Sequence, residues 1–132
     1  MYPHITLATK TLHRVDEPRH YMRVKPVPQK VTITKAGQVL ANSHSAVRLT
    51  EVGRDVYDPV IYVPRADVKI PLVQTDRSTH CPLKGDATYF SVDLDDGENL
   101  IWAYDAPIPP ADGLKGFVAF YPDRVTVTEG ES

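Results

Sequence analysis

The sequence predicts a mainly-β fold: a single compact domain of about eight or nine short, mostly antiparallel strands, arranged as a barrel, a sandwich or a tent-like pair of sheets. Three observations carry that prediction. From Lys30 onward the apolar residues recur with a period of two, as half-buried strands require. Twelve prolines are scattered along the chain, and because proline removes a backbone donor and breaks helix interiors, they leave little room for long helices. Turn signals such as Ala36-Gly37 and Asp96-Gly97 divide the chain into short runs.

Residues 1–29 are the least regular and read as an N-terminal arm or extension; residues 30–128 form the β domain and 129–132 a tail. The most basic stretch, Arg14 to Lys25, is interrupted by Asp16 and Glu17 and reads as a solvated segment. His4, His13 and His20 lie in this arm at no metal-ligand spacing, so they are expected on the surface, and no metal site is expected. Val31 and Ile33 alternate with Thr32 and Thr34, and Ala36-Gly37-Gln38 turns the chain into a short strand at Val39 to Ala41. Ala46 to Thr50 follows with Val47 and Leu49 on one face. Glu51 continues that apolar phase: either the strand has ended, the commoner case, or Glu51 points inward and needs a cation.

Val60 to Val63, between Pro59 and Pro64, reads as a strand buried on both faces. Val68, Ile70 and Leu72 alternate as a further strand. Thr88 to Leu94 and Glu98 to Tyr104 form a hairpin through Asp96-Gly97. Gly116 to Tyr121 and Val125 to Thr128 complete the set. In that hairpin Tyr89 faces Tyr104 and Ser91 faces Trp102. One face carries Phe90, Val92, Leu94, Ile101 and Ala103, an ordinary core. The other carries Tyr89, Ser91, Trp102 and Tyr104, which suits a pocket wall, a second core or a dimer contact.

Bulk properties narrow the function. A domain of 132 residues buries roughly two thirds of its unfolded surface and needs no disulfide or metal to fold. A net charge of −2 lacks the basic excess of a nucleic-acid binder. A single cysteine, Cys81, excludes an internal disulfide framework. With no secretion signal at the start and no apolar run of membrane-spanning length, the expected compartment is the cytoplasm and no membrane partner is expected.

The string Thr79-His80-Cys81-Pro82-Leu83-Lys84-Gly85-Asp86-Ala87 holds the residues best suited to chemistry. Pro82 forces Cys81 to be extended, and Gly85 suits a positive-φ turn. The loop brings His80, Cys81 and Lys84 close together, and a cation beside a thiol favours the nucleophilic thiolate. The plain alternative is a small buried cysteine and a solvated lysine. His80 and Cys81 are neighbours in an extended loop, so their side chains diverge, and no His–acid pair is identifiable to complete a catalytic set. Asp93 and Asp95 share a strand face but lead into the Asp96-Gly97 turn, where acids are common for conformational reasons. Arg65 follows the buried strand and can fix a turn with Asp67, pair with Glu51, or grip an anionic ligand.

The strings Tyr62-Val63-Pro64-Arg65-Ala66-Asp67-Val68, Thr79 to Tyr89, Trp102-Ala103-Tyr104 and Gly116-Phe117-Val118-Ala119-Phe120-Tyr121 occur in this order. Together they resemble the bacterial and fungal domain-of-unknown-function family marked by Cys-Pro-x-Lys-Gly, which also bears a nucleotidyltransferase-like label. The resemblance covers roughly Lys30 to Val127 and implies a β-tent-like fold, similar to that of methionine sulfoxide reductase B and zinc-binding relatives. Those relatives often hold zinc through paired Cys-x-x-Cys motifs, which one cysteine cannot supply. The label itself is unsupported by motif, because no glycine-serine element precedes the acidic pair.

Two functional expectations follow. In the first, the domain binds an unknown small molecule in a pocket lined by Tyr62, Tyr89, Ser91, Trp102 and Tyr104. Arg65, Glu51 and Lys84 then supply charge, and Cys81, Lys84 and His80 are the residues for thiol-based catalysis. In the second, the domain is a non-enzymatic structural or interaction module, with Glu51–Arg65 as a fixed ion pair and an aromatic face that docks a partner or a second copy. No cofactor is identifiable.

Overall fold

A computed structural model describes residues 11–130. Within them the chain forms eleven strands and two short 3-10 turns. The strands are β1 (Leu12–Arg14), β2 (Glu17–Pro26), β3 (Val31–Lys35), β4 (Gln38–Ser43), β5 (Val47–Val52), β6 (Val60–Pro64), β7 (Val73–Cys81), β8 (Gly85–Ser91), β9 (Ile101–Ala103), β10 (Phe117–Phe120) and β11 (Thr126–Glu129). All pairings are antiparallel. An eight-stranded sheet runs in the order β1-β2-β5-β6-β10-β9-β8-β7, and a three-stranded sheet in the order β11-β3-β4. The large sheet does not close into a barrel, because β1 and β7 are its free edges.

The two faces of the large sheet bury two separate cores. One face packs on the small sheet: Val31, Ile33, Leu40 and Ala41 meet Val63, Phe90, Ile101, Ala103, Val118 and Phe120. The opposite face curls over a second core that contains Met22, Leu49, Tyr62, Leu83, Tyr89, Tyr104 and Leu114. Strand alternation separates the two sets, since neighbouring residues point to opposite faces. The division of Phe90, Val92, Ile101 and Ala103 from Tyr89, Trp102 and Tyr104 follows the expected alternation.

Several elements differ from the sequence reading. Residues 17–26, expected as part of an irregular arm, form the ten-residue β2 paired along β5 from Tyr21↔Val52 to Pro26↔Val47. Of the basic residues that suggested a solvated segment, Arg19, Arg23 and Lys25 are exposed positions of β2, while Met22 is fully buried. His4 lies outside the described residues. Val68 to Leu72 is not a strand: a 3-10 turn at Arg65–Asp67 precedes it, and only an isolated bridge ties Val68 to Ala41. The strand lies just beyond, in the polar Val73–Cys81, whose residues are mostly exposed because β7 is an edge.

The Asp96-Gly97 connection is also longer than a two-residue turn. β8 ends at Ser91 and β9 begins at Ile101. Tyr89 therefore pairs with Trp102, and Phe90 with Ile101, two residues away from the expected register. A shift of two leaves each side chain on its expected face. The loop is tight around Gly97: a Cβ there would stand 2.3 Å from the Val92 carbonyl oxygen and 2.9 Å from that of Leu94. Only glycine admits that approach.

Candidate functional site

The second core is a row of side chains set by register. Residues directly opposite each other on antiparallel strands point to the same face. Tyr62 pairs with Ala119, Ala119 with Trp102, and Trp102 with Tyr89, so three aromatic rings line one face around a small residue. At the other end of the row Glu51 pairs with Met22. His20 lies two residues before Met22 and shares its face. Glu51 thus continues the inward phase of Leu49, and β5 does not end before it. The commoner reading of Glu51 is corrected: it points inward and has its cation.

That cation is Lys84 rather than Arg65. The turn Pro82-Leu83-Lys84 links β7 to β8, with Cys81 paired to Gly85 across it. The Lys84 amide donates to the Cys81 carbonyl at 3.2 Å, and the Lys84 carbonyl accepts from the Ile108 amide at 3.1 Å. Gly85 closes the turn at φ 109, as expected of that glycine. The loop therefore folds inward, Leu83 and Lys84 are buried, and the Lys84 ammonium bonds Glu51 Oε1. The Lys84 and Glu51 side chains are 8% and 12% exposed. The other Glu51 oxygen meets His20 Nε2 at 2.7 Å. Burial acts most strongly on the Glu51 carboxyl and pushes its pKa up. His20 and Lys84 together outweigh burial and hold it below the ordinary carboxylate range.

His20 is thus no surface histidine, and it supplies the His–acid pair the sequence does not reveal. Gly53 makes room for it, since an added Cβ would lie 3.1 Å from His20 Cδ2. Cys81 is half-buried, and one ligand atom each from His20, Glu51 and Cys81 lie within 4.8 Å of one another. The plain reading of Lys84 as a solvated charge is overturned by its burial.

A cavity of about 260 Å³ opens beside the ion pair, lined by Glu51, Lys84, Tyr62, Tyr89, Trp102 and Tyr104 among others. Trp102 Nε1 donates to the Tyr62 hydroxyl at 3.2 Å, and the Tyr89 hydroxyl bonds Thr79 Oγ1 at 2.9 Å. Trp102 stands edge-on to Tyr62 at 6.3 Å and tilted against Tyr121 at 4.7 Å. The Lys84 ammonium lies 5.7 Å from the Tyr104 ring centroid. Burial raises the Tyr62 and Tyr104 phenols well above their ordinary value, so both stay protonated. On the far side of His20 a second cavity, about 590 Å³, is lined by His20, Gly53, Arg54, Tyr57 and Pro82.

The structure brings together Cys81, Lys84, Glu51, Tyr62, Tyr89, Trp102 and Tyr104 of the residues singled out by sequence. It leaves out three. His80 points to solvent and pairs with Asp86 at 2.8 Å. Arg65 stacks on Phe90, over the other core, with its guanidinium 4.7 Å from the ring centroid. Ser91 accepts from the Asn99 amide at 2.9 Å and pins the long loop instead. His20, Tyr57 and Tyr121 were missed. The alternation His20, Met22, Val24 was the one signal for His20, hidden among basic residues. Asp93 and Asp95 are exposed in the loop after β8 and share no strand face.

No helix among the described residues is long and apolar enough to cross a membrane. A comparison with curated proteins finds no match. The family model described as a domain of unknown function, DUF427, which carries a nucleotidyltransferase-like label, matches residues 23–131. That span takes in every strand from β3 to β11, the Cys81–Gly85 turn and the aromatic row, and the chain belongs to the DUF427 family.

Proposed function

We propose that this domain binds a small planar molecule in the aromatic cavity, with the polar end of the ligand at the Lys84–Glu51 floor. The observation that carries the reading is a buried ion pair opening onto a cavity walled by tyrosine and tryptophan. Burying two charges is expensive and seldom the most stable way to fill a core, so its presence beside a cavity favours a recognition role. The floor has capacity to spare. A carboxylate offers about four acceptor positions and an ammonium three donors. Glu51 uses its oxygens on Lys84 and His20, and no hydrogen bond to the Tyr104 hydroxyl is found among the described residues. A ligand carrying an adjacent donor and acceptor on a flat ring fits that set. The cavity lies below the roughly 300 Å³ at which drug-sized pockets begin, which favours a small metabolite.

Trp102 is the only tryptophan, so its fluorescence reports this cavity alone. Titration with benzamide, benzoate and benzylamine tests the reading. Benzamide, which has both donor and acceptor, is expected to shift Trp102 emission saturably, and Tyr104→Phe is expected to weaken it. No saturable response to any of the three would count against a ligand site.

A second reading is favoured by the Cys81–His20–Glu51 juxtaposition, since a His–acid pair is what activates a thiol nucleophile. Its test is the alkylation rate of Cys81 by iodoacetamide against pH. A midpoint well below the free-thiol value of about 8.5 supports an activated thiolate, and protection until unfolding refutes it.

A further inference from the structure

We infer that His20, Glu51 and Cys81 form a binding site for a thiophilic divalent cation of the zinc class. The three residues come from different parts of the chain: His20 from β2, Glu51 from β5 and Cys81 from the end of β7. Their ligand atoms nonetheless lie within 4.8 Å of one another. Around a tetrahedral ion with bonds of about 2.0–2.3 Å, ligand atoms sit about 3.3–3.6 Å apart. His20 Nε2 and Glu51 Oε2, now 2.7 Å apart, would open slightly, and the thiol, within 4.8 Å of its partners, would close by about 1 Å at most. Both movements are within the reach of side-chain rotation, and all three residues are half-buried rather than sealed in the core.

The donor set selects the metal. One sulfur, one imidazole nitrogen and one carboxylate oxygen suit zinc, whereas magnesium and calcium prefer all-oxygen shells. Three protein ligands leave a fourth position open, as in catalytic rather than structural zinc sites. The larger cavity, lined by His20, Gly53, Tyr57 and Pro82, gives that position an approach from solvent. Arg19 and Arg54 line the same cavity together with Glu17, which holds Arg19 at 2.9 Å, so the approach carries one paired and one further positive charge. Lys84 bonds Glu51 Oε1 and leaves Oε2 for the metal, the outer partner that a ligating carboxylate usually has. On binding, the Cys81 thiol loses its proton to solvent while His20 binds as the neutral ring. The site shares the Glu51 carboxylate with the ligand reading above but rests on His20 and Cys81, which that reading does not use, so the two are tested by separate signals.

The test is titration of the reduced, chelator-treated full chain with cobalt(II) chloride, followed by zinc chloride. The expected result is one equivalent of cobalt giving a near-ultraviolet thiolate-to-metal charge-transfer band with visible bands of four-coordinate cobalt, both erased by zinc. Cys81 is the only cysteine, so a thiolate band in the unaltered protein can arise nowhere else in the chain. Cys81→Ser should abolish the band. His20→Gln should weaken zinc binding by about tenfold or more, and His80→Gln should leave it unchanged. Absence of the charge-transfer band from the unaltered protein, or equal zinc affinity in Cys81→Ser, overturns the site. Either failure leaves benzamide binding at Trp102 to be decided on its own.

Discussion

Replacing Lys84 by methionine keeps the aliphatic stem and removes only the ammonium. The structure then leaves the Glu51 carboxylate, 12% exposed, without its buried ammonium partner. Breaking a buried ion pair from one side costs about 3–5 kcal/mol, because the surviving charge stays desolvated. His20 still bonds the other carboxylate oxygen at 2.7 Å, which offsets part of that cost, so Lys84→Met should destabilise by about 2–4 kcal/mol. For a domain of this size that lowers the melting temperature by roughly 10 °C. Adding Glu51→Gln removes the stranded charge, so the double variant should be more stable than Lys84→Met alone. Urea unfolding followed by Trp102 fluorescence and far-ultraviolet circular dichroism measures both. An exposed pair, Arg14–Asp16, supplies the control: Arg14→Gln should change stability by less than about 0.5 kcal/mol. A Lys84→Met cost no larger than that of the control, or strict additivity in the double variant, refutes the buried pair.

Other perturbations test the neighbouring structure. Gly97→Ala places a methyl 2.3 Å from the Val92 carbonyl oxygen and should cost about 2–4 kcal/mol through overpacking and the loss of two loop hydrogen bonds, read by thermal melts. Tyr62→Phe strands the Trp102 indole donor and should cost about 1–3 kcal/mol, with a shifted Trp102 emission maximum in the folded state. Ala36 sits at φ 52 in the two-residue β3–β4 turn, so Ala36→Asn should stabilise the hairpin by about 0.5 kcal/mol in the same melts. At alkaline pH the sign is fixed by two of the buried phenols, Tyr62 and Tyr104. Tyr62 and Tyr104 keep their protons in the folded state above the ordinary value of 10.0, while the unfolded chain releases them. Their stabilising contribution is complete below pH 10 and is lost as pH rises above it. A tyrosinate absorbance titration should show at least two phenols that ionise only with unfolding, and one fewer in Tyr62→Phe.

The alternation of the aromatic row was legible because side-chain direction is a local property of a strand. Tyr89 and Trp102 keep the same face whether the register is the expected one or two residues away, so a wrong turn length did no harm. Gly85 and the burial of Tyr62 were legible for the same local reasons. The partner of Glu51 was not. Val47, Leu49 and Glu51 show an acid in an apolar phase, which calls for a cation, but Lys84 lies 33 positions on and His20 31 positions back. Arg65 was nearer in sequence, yet it follows a strand whose end faces the other core. β2 was hidden because its outward residues include Arg19, Arg23 and Lys25, so the period-two signal of Met22 and Val24 is diluted by the charges of a solvent-facing side. β7 was hidden because an edge strand needs little apolar surface.

The central claim is that the cavity beside Lys84 and Glu51 is a ligand site, and a two-dimensional nitrogen–proton NMR spectrum with benzamide tests it most directly. The account predicts a saturable shift of the Trp102 indole N–H resonance, accompanied by shifts at Lys84 and Tyr104 and none at His80 or Arg65. Shifts confined to other surfaces, or an indole resonance that never moves, would contradict it.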